Sequence, residues 1–201
     1  MSSSGSSVIR KRIQNLTLSA VLTAFSILIP MIMPVKVIIG PASFTLASHV
    51  PIFIAMFLSP EVAVIVALGT SLGFFIAGFP FVIVMRALTH LIFAAIGAYL
   101  IQKYPSFLKN FKNSFPLAFG LNIIHGLGEF LVVLLLTTTN QQSTSYWFTL
   151  IVLIGLGSLI HGMIDFYLAY YCWKFLKKTG RIFYIASIFF KVKISGREHG
   201  T

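Results

Sequence analysis

Two clusters of polar and ionisable side chains lie within long apolar stretches of this sequence. They are Arg86, Thr89 and His90, and Asn122, His125 and Glu129. Residues three, four and seven positions apart share one face of an α-helix, so each cluster can project from its helix in a single direction. A central charge in a hydrocarbon layer costs roughly 2.5 to 3.5 kcal/mol on insertion scales. Each cluster therefore needs either a partner within the protein or a function.

Arg86 has the clearest chemistry of these side chains. Its guanidinium is a planar fork that fits a carboxylate, so Arg86 could bind an anionic group of a small ligand. It could equally form an internal ion pair with Glu129, and both interpretations can hold because a charge pair can orient the arginine of a ligand pocket. At about 1.5 Å per residue, Arg86 lies about 9 Å from Pro80, and Glu129 lies about 12 Å from Thr137. These depths predict a cavity in the half of the membrane that contains the helix ends at Pro80 and Thr137.

Other side chains are weaker candidates. A lone histidine in a helix bundle more often bonds a backbone carbonyl or a hydroxyl than a ligand, which leaves His125 and His161 as secondary ligand contacts. Trp147 either belongs to the aromatic belt at the membrane interface or forms a stacking wall for a flat heteroaromatic ligand. We expect His49 to lie near the outer surface, in solvent or at the cavity mouth. Asp165 is expected near the inner end of its helix, outside the pocket.

Catalytic and nucleotide-binding motifs are absent from the sequence. It contains no G-x-x-x-x-G-K-[ST], no H-E-x-x-H and no G-x-S-x-G, which excludes a P-loop, a zincin site and a serine nucleophile elbow. The side chains that a membrane metalloenzyme could use are His125, Glu129, His161 and Asp165. Counting along the helices places the two carboxylates far apart, so we predict neither an enzyme nor a metal site. The segments 124–130 and 160–166 both contain I-H-G followed by a carboxylate and Phe, and we attribute this likeness to chance because the two helices run antiparallel.

The elements that carry these residues are helices of a membrane protein. Hydrophobic residues make up 57% of the 201 positions and charged residues only 9%, and the mean hydropathy is +0.93. A spanning helix needs about 20 apolar residues, and the apolar runs predict an all-α integral membrane fold, a bundle of six transmembrane helices. The predicted helices are Leu16 to Met33, Ala42 to Leu58, Glu61 to Ala77, Phe79 to Gln102, Phe115 to Leu136 and Tyr146 to Phe175.

Positive charge alternates along the chain. Basic residues precede the first apolar run, recur in the connection from Lys103 to Lys112 and follow the last run. By the positive-inside rule both termini face the cytoplasm, and this placement accounts for the net charge of +11 without a nucleic-acid partner. We predict one membrane domain over residues 1–201. It comprises a cytoplasmic tail at 1–13, the bundle at 14–175 and a basic cytoplasmic tail at 176–201, in which 182–190 lies on the inner membrane surface.

Four features of the sequence carry a family resemblance: the predicted spans, the inner termini, an A-x-x-x-A stripe at Ala20 and Ala24, and the run M-R-A-L-T-H-L-I-F at 85–93. Together they resemble the substrate-binding S components of energy-coupling factor (ECF) transporters, and among these the niacin-type members. The resemblance implies a multi-pass protein of the bacterial plasma membrane that captures a small water-soluble vitamin from outside and topples in the membrane to release it inside. It also implies partners, namely one membrane coupling subunit docked at the stripe and two ABC ATPases. ATP is then hydrolysed by those partners, and this chain carries no cofactor.

Niacin fits the candidate residues. Arg86 would bind the carboxylate of nicotinate, His90 or Asn122 would face the ring nitrogen, and Trp147 would lie against the ring. The alternatives are an S component for another vitamin or precursor, a self-sufficient secondary transporter, and a membrane-embedded metalloenzyme.

Overall fold

The computed structural model describes residues 3–39, 42–139 and 143–179. Within these ranges the chain folds into helices and one β-hairpin. The elements in chain order are α1 (Ser3–Ile32), β1 (Lys36–Ile39), β2 (Ala42–Thr45), α2 (Val50–Leu58), α3 (Pro60–Ile76), α4 (Phe81–Lys103), a 3₁₀ turn (Pro105–Leu108), α5 (Phe111–Thr137), α6 (Thr144–Phe148), a π-helical segment (Thr149–Gly157) and α7 (Ser158–Lys178). The segment 182–190, predicted to lie on the inner membrane surface, is outside the described residues.

The helical membrane architecture agrees with the sequence prediction. Four stretches of the described residues are long and apolar enough to cross a bilayer, and a shorter apolar helix, Pro60–Ile76, accompanies them. The four stretches are Val8–Ile32, Phe81–Lys103, Phe111–Thr137 and Thr144–Lys178. The first helix begins at Ser3, so most of the region predicted as an N-terminal tail is helical.

The prediction of one helix over Ala42 to Leu58 is wrong. The first four residues form β2, which pairs antiparallel with β1 so that Lys36 lies opposite Thr45. The helix that follows, α2, has only 9 residues, or about 14 Å at 1.5 Å per residue, which is half of a hydrocarbon core of about 30 Å. Hydropathy misled the prediction because it does not register strand pairing. β2 is held extended by its pairing with β1, whose β-branched residues favour an extended chain. Pro51 fits the first turn of α2, where no backbone donor is needed.

The short helix α2 occupies the middle of the bundle. It packs against α1, α3, α4 and α7, while α4 also packs against α5 and α5 against α7. Phe53 of α2 is fully buried, and its ring centroid lies 5.6 Å from that of Phe93 and 5.2 Å from that of Phe166. The turn that leads into α2 therefore brings its own polar residues into the protein interior.

Two glycines let the last helix lie close to α5. A side-chain carbon at Gly162 would overlap the Oδ1 atom of Asn122, and one at Gly126 would lie 3.2 Å from the carbonyl oxygen of Gly155. Small residues at helix interfaces allow backbones of membrane helices to approach closely. This close approach brings the polar faces of α5 and α7 together.

Candidate functional site

A cavity with polar and apolar lining residues opens between α1, α3 and α4 beside strand β2. Its volume is about 60 Å³, which is smaller than the range of about 300 to 1,000 Å³ that pockets for drug-sized ligands span, so the cavity suits only a small ligand and must widen to enclose it. Its hydroxyl-bearing residues are Ser26, Ser43, Thr45, Ser48 and Thr70, and its ionisable residues are His49, Arg86, His90 and Glu129. The cavity is therefore lined by the charged residues that the sequence singled out and by others that it did not.

Arg86 and Glu129 form an ion pair in the wall of this cavity. Both residues are buried, and Nη2 of Arg86 donates to Oε2 of Glu129 at 3.0 Å. The hydroxyl of Ser158 donates to the same oxygen. The internal pair considered from the sequence is thus present. It holds the guanidinium in one orientation without excluding it from the cavity wall.

The second carboxylate oxygen of Glu129 faces two histidines. Its Oε1 atom lies 3.5 Å from Nε2 of His90 and 3.5 Å from Nε2 of His125. The four-residue spacing on α5 places His125 one turn from Glu129, and α4 supplies His90 from the neighbouring helix. The two oxygens of this carboxylate therefore have different environments, one with Arg86 and Ser158 and one with imidazoles.

His49 is at the centre of the site, so the expectation that it lies at the outer surface is wrong. Its ring centroid lies 4.8 Å from that of His90, 4.7 Å from that of His125 and 5.0 Å from that of His161. The cause is the hairpin, which carries the start of α2 into the bundle instead of leaving it at the membrane surface. Spacing along the chain could not reveal this because His49 belongs to neither helical cluster.

Asp165 belongs to the same site, contrary to the expectation that it lies outside. It is fully buried. Its carboxylate accepts hydrogen bonds from the backbone N–H groups of Ala47 at 2.8 Å and His49 at 2.9 Å, and Oδ2 lies 3.1 Å from Nδ1 of His49. Ala47 has a φ of 68°, a conformation that is costly for a residue with a side chain. Asp165 thus stabilises a strained turn and orients the central histidine.

The likeness between segments 124–130 and 160–166 has a structural meaning. Each helix supplies a histidine and a carboxylate four residues apart, at 3.5 Å in α5 and 3.4 Å in α7. Both carboxylates have an oxygen within 4.8 Å of a ring nitrogen of His49. The inference that Glu129 and Asp165 lie far apart is therefore wrong. It rested on counting residues from the two helix ends, whereas α7 packs against α5 and α2 and brings Asp165 beside His49.

Five residues predicted to bind substrate do not line the cavity. One of them is His125, which faces Glu129 and the other histidines instead. Asn122 donates to the Ala118 carbonyl at 2.9 Å from a fully buried position, and the Thr89 hydroxyl donates to a backbone carbonyl of its own helix at 2.7 Å. Trp147 is 43% exposed, and its ring contacts Tyr146.

His161 is the last of these five residues. Its Nε2 atom lies 3.2 Å from the hydroxyl of Ser48 and 3.4 Å from Oδ2 of Asp165. It supports the turn before α2 and does not reach the cavity wall.

Ala20 and Ala24 lie on the outside of the bundle. Both are exposed, whereas Ser19 and Ser26 on the same helix are buried, and Thr23 packs against Gly69 of α3. Helix α1 therefore turns its hydroxyl-bearing face inward and its alanine stripe away from the rest of the chain.

Comparison with known proteins identifies the family. No family model matches the chain, and no solved structure matches it. The chain is 47% identical over 162 residues to the niacin transporter NiaX of Lactococcus lactis subsp. cremoris (strain MG1363), and the alignment covers 80% of this chain and 73% of that protein. The chain is accordingly a multi-pass protein of the cell membrane, and it belongs to the family of niacin-type S components of ECF transporters.

Proposed function

We propose that this chain captures niacin, as the nicotinate anion, in the cavity between α1, α3 and α4. The observation that carries the proposal is Arg86, a buried guanidinium in the wall of a membrane-embedded cavity. An arginine in this setting suits a small planar carboxylate, because its fork can match both carboxylate oxygens. The similarity to a protein named as a niacin transporter supports this choice over other carboxylates.

The remaining parts of nicotinate have complementary groups in the same cavity. Phe74 and Phe79 line it as a stacked pair with centroids 4.5 Å apart, and an aromatic wall of this kind suits the face of a pyridine ring. The imidazole of His90 is available to the ring nitrogen. Ser26 adds a buried hydroxyl that has no hydrogen-bond partner within the described ranges, and a ligand atom would satisfy it.

The exposed alanine stripe supports a coupled import mechanism. The sequence lacks a P-loop, so this chain cannot hydrolyse ATP through such a site. We assign Ala20 and Ala24 to contact with a membrane coupling subunit that carries two ATPases, because small residues allow helices to pack closely in a bilayer. In this arrangement the chain has six helical segments and cytoplasmic termini, and niacin enters from the outer side.

Uptake of tritiated niacin by cells without their own niacin transporter tests this function. We expect uptake when the chain is expressed with a coupling subunit and ATPases, and binding without net uptake when it is expressed alone. Arg86→Met should lower uptake at subsaturating niacin by about 10-fold to 150-fold, while Arg12→Met, a change at an exposed arginine, should leave it unchanged. Niacin accumulation by the chain alone would instead identify a self-sufficient secondary transporter.

A further inference from the structure

The buried charges of the site do not balance for an anionic ligand. Arg86 contributes one positive charge, and Glu129 and Asp165 contribute two negative charges, all three being buried. With histidines counted as neutral, the cluster has a formal charge of −1, and bound nicotinate would make it −2. Buried charge is strongly unfavourable unless it is paired. A further cation at this site would remove the imbalance.

The histidine cluster has the composition of a transition-metal site. His49, His90, His125 and Glu129 each offer one ligand atom, and these atoms all lie within 4.8 Å of one another. Three imidazoles and one carboxylate are ligands that Zn²⁺ and neighbouring divalent ions accept. Bonds of about 2.0 to 2.1 Å would bring tetrahedral ligand atoms to roughly 3.4 Å apart, so a small inward rotation of these side chains completes the geometry.

The surroundings of Glu129 leave one of its oxygens directed at this site. Oε2 is already bonded by Arg86 and Ser158, whereas Oε1 faces His90 and His125 at 3.5 Å, which is long for a hydrogen bond. Carboxylates that bind metals are commonly held by hydrogen bonds at their other oxygen. Arg86 therefore orients this carboxylate and does not occupy its ligand position.

His49 and His125 show two further features of metal ligands. Nδ1 of His49 is held by Asp165 at 3.1 Å, the carboxylate–histidine arrangement that fixes an imidazole so that its other nitrogen can bind a metal. His125 is 1% exposed, and neither of its ring nitrogens has a hydrogen-bond partner in the described part of the chain. A buried imidazole without partners is costly, and coordination would satisfy it.

We propose that His49, His90, His125 and Glu129 bind one divalent transition-metal ion of the zinc class beside the niacin cavity. The ion supplies the positive charge that the cluster needs when nicotinate is bound. The charge argument rests on the proposed function, whereas the ligand geometry stands without it. This proposal departs from the sequence-based expectation of a site without metal.

Cobalt titration of the full chain, purified without a histidine tag and stripped with a chelator, tests the proposal independently of niacin. We expect visible ligand-field absorption that saturates at one Co²⁺ per chain and is displaced by Zn²⁺. His125→Gln should remove the absorption, and Arg12→Met, a change at an exposed arginine outside the ligand set, should keep it. The opposite pattern, or no saturable Co²⁺ absorption in the unmodified chain, would overturn the assignment.

Nicotinate binding to the stripped and Zn²⁺-loaded chain tests the coupling. We expect Zn²⁺ to tighten nicotinate binding by about 5-fold to 150-fold, the usual range of coupling between sites. Proton uptake on nicotinate binding, with equal affinity in the stripped and loaded chain, would show that protons supply the charge and would reject the metal. Cobalt absorption without nicotinate binding in either form would retain the metal site and reject the proposed function.

Discussion

Arg86 has two assigned functions, pairing with Glu129 and binding the carboxylate of nicotinate, and two variants separate them. Arg86→Met removes the guanidinium and leaves Glu129 as an uncompensated buried carboxylate. Breaking one side of a buried ion pair costs about 3 to 5 kcal/mol. For a protein of 201 residues, each kcal/mol lowers Tm by roughly 2 to 4 °C, so the apparent Tm should fall by about 6 to 20 °C.

The double variant Arg86→Met/Glu129→Gln separates stability from ligand binding. Replacing a whole buried ion pair by neutral residues of similar size is often neutral for stability, so the double variant should regain most of the lost Tm. It should not regain nicotinate binding. A lost charge-assisted hydrogen bond is worth about 1.5 to 3 kcal/mol, which weakens Kd roughly 10-fold to 150-fold.

The assay is a thermal shift in detergent with a chelator present, followed by binding of tritiated niacin to the same samples. Chelation removes metal, so that the ion pair alone determines the difference in Tm. If the double variant recovers nicotinate binding together with stability, Arg86 only maintains the fold, and its assignment as the anion partner is wrong. An unchanged Tm in Arg86→Met would refute the estimate for the buried pair.

Three further changes test other parts of the account. Gly162→Ala should lower the free energy of unfolding by about 1 to 3 kcal/mol through overpacking against α5. Gly120→Ala, where an added carbon meets nothing within 4 Å, should be tolerated. Thermal unfolding of the two variants distinguishes these outcomes. Asp165→Asn should weaken the turn before α2 by about 1.5 to 3 kcal/mol, because it removes the charge from two backbone hydrogen bonds, and a Tm equal to that of the unmodified chain would argue against this contribution. Ala24→Leu should leave niacin binding intact but reduce copurification with the coupling subunit, and Val21→Leu, at another exposed position of α1, is the control.

The long helices could be predicted because one physical signal defines them. Apolar runs located α3, α4 and α5 to within a few residues, since lipid selects long apolar segments. Prolines at the starts of α3 and α4 sharpened the first two boundaries. The pairing of Arg86 with Glu129 was among the sequence-based alternatives, because each residue lies on the polar face of its helix. Helical periodicity thus predicts contacts between faces of neighbouring spans.

The centre of the site could not be predicted from the same signal. His49 meets Asp165 across 116 residues of sequence, through a hairpin that hydropathy cannot distinguish from a membrane helix. The repeated I-H-G pattern at 124–126 and 160–162 was the available clue, and it indicated that α5 and α7 carry equivalent histidine–carboxylate pairs. Their convergence depended on the close contacts at Gly126 and Gly162, which periodicity does not reveal.

Equilibrium dialysis of tritiated niacin against the purified full chain tests the central claim most directly. The account predicts saturable binding of one nicotinate per chain, displaced by unlabelled nicotinate, retained in Arg12→Met and weakened about 10-fold to 150-fold in Arg86→Met. Absence of saturable binding, or equal affinity in the two variants, would contradict the assignment of this cavity to niacin.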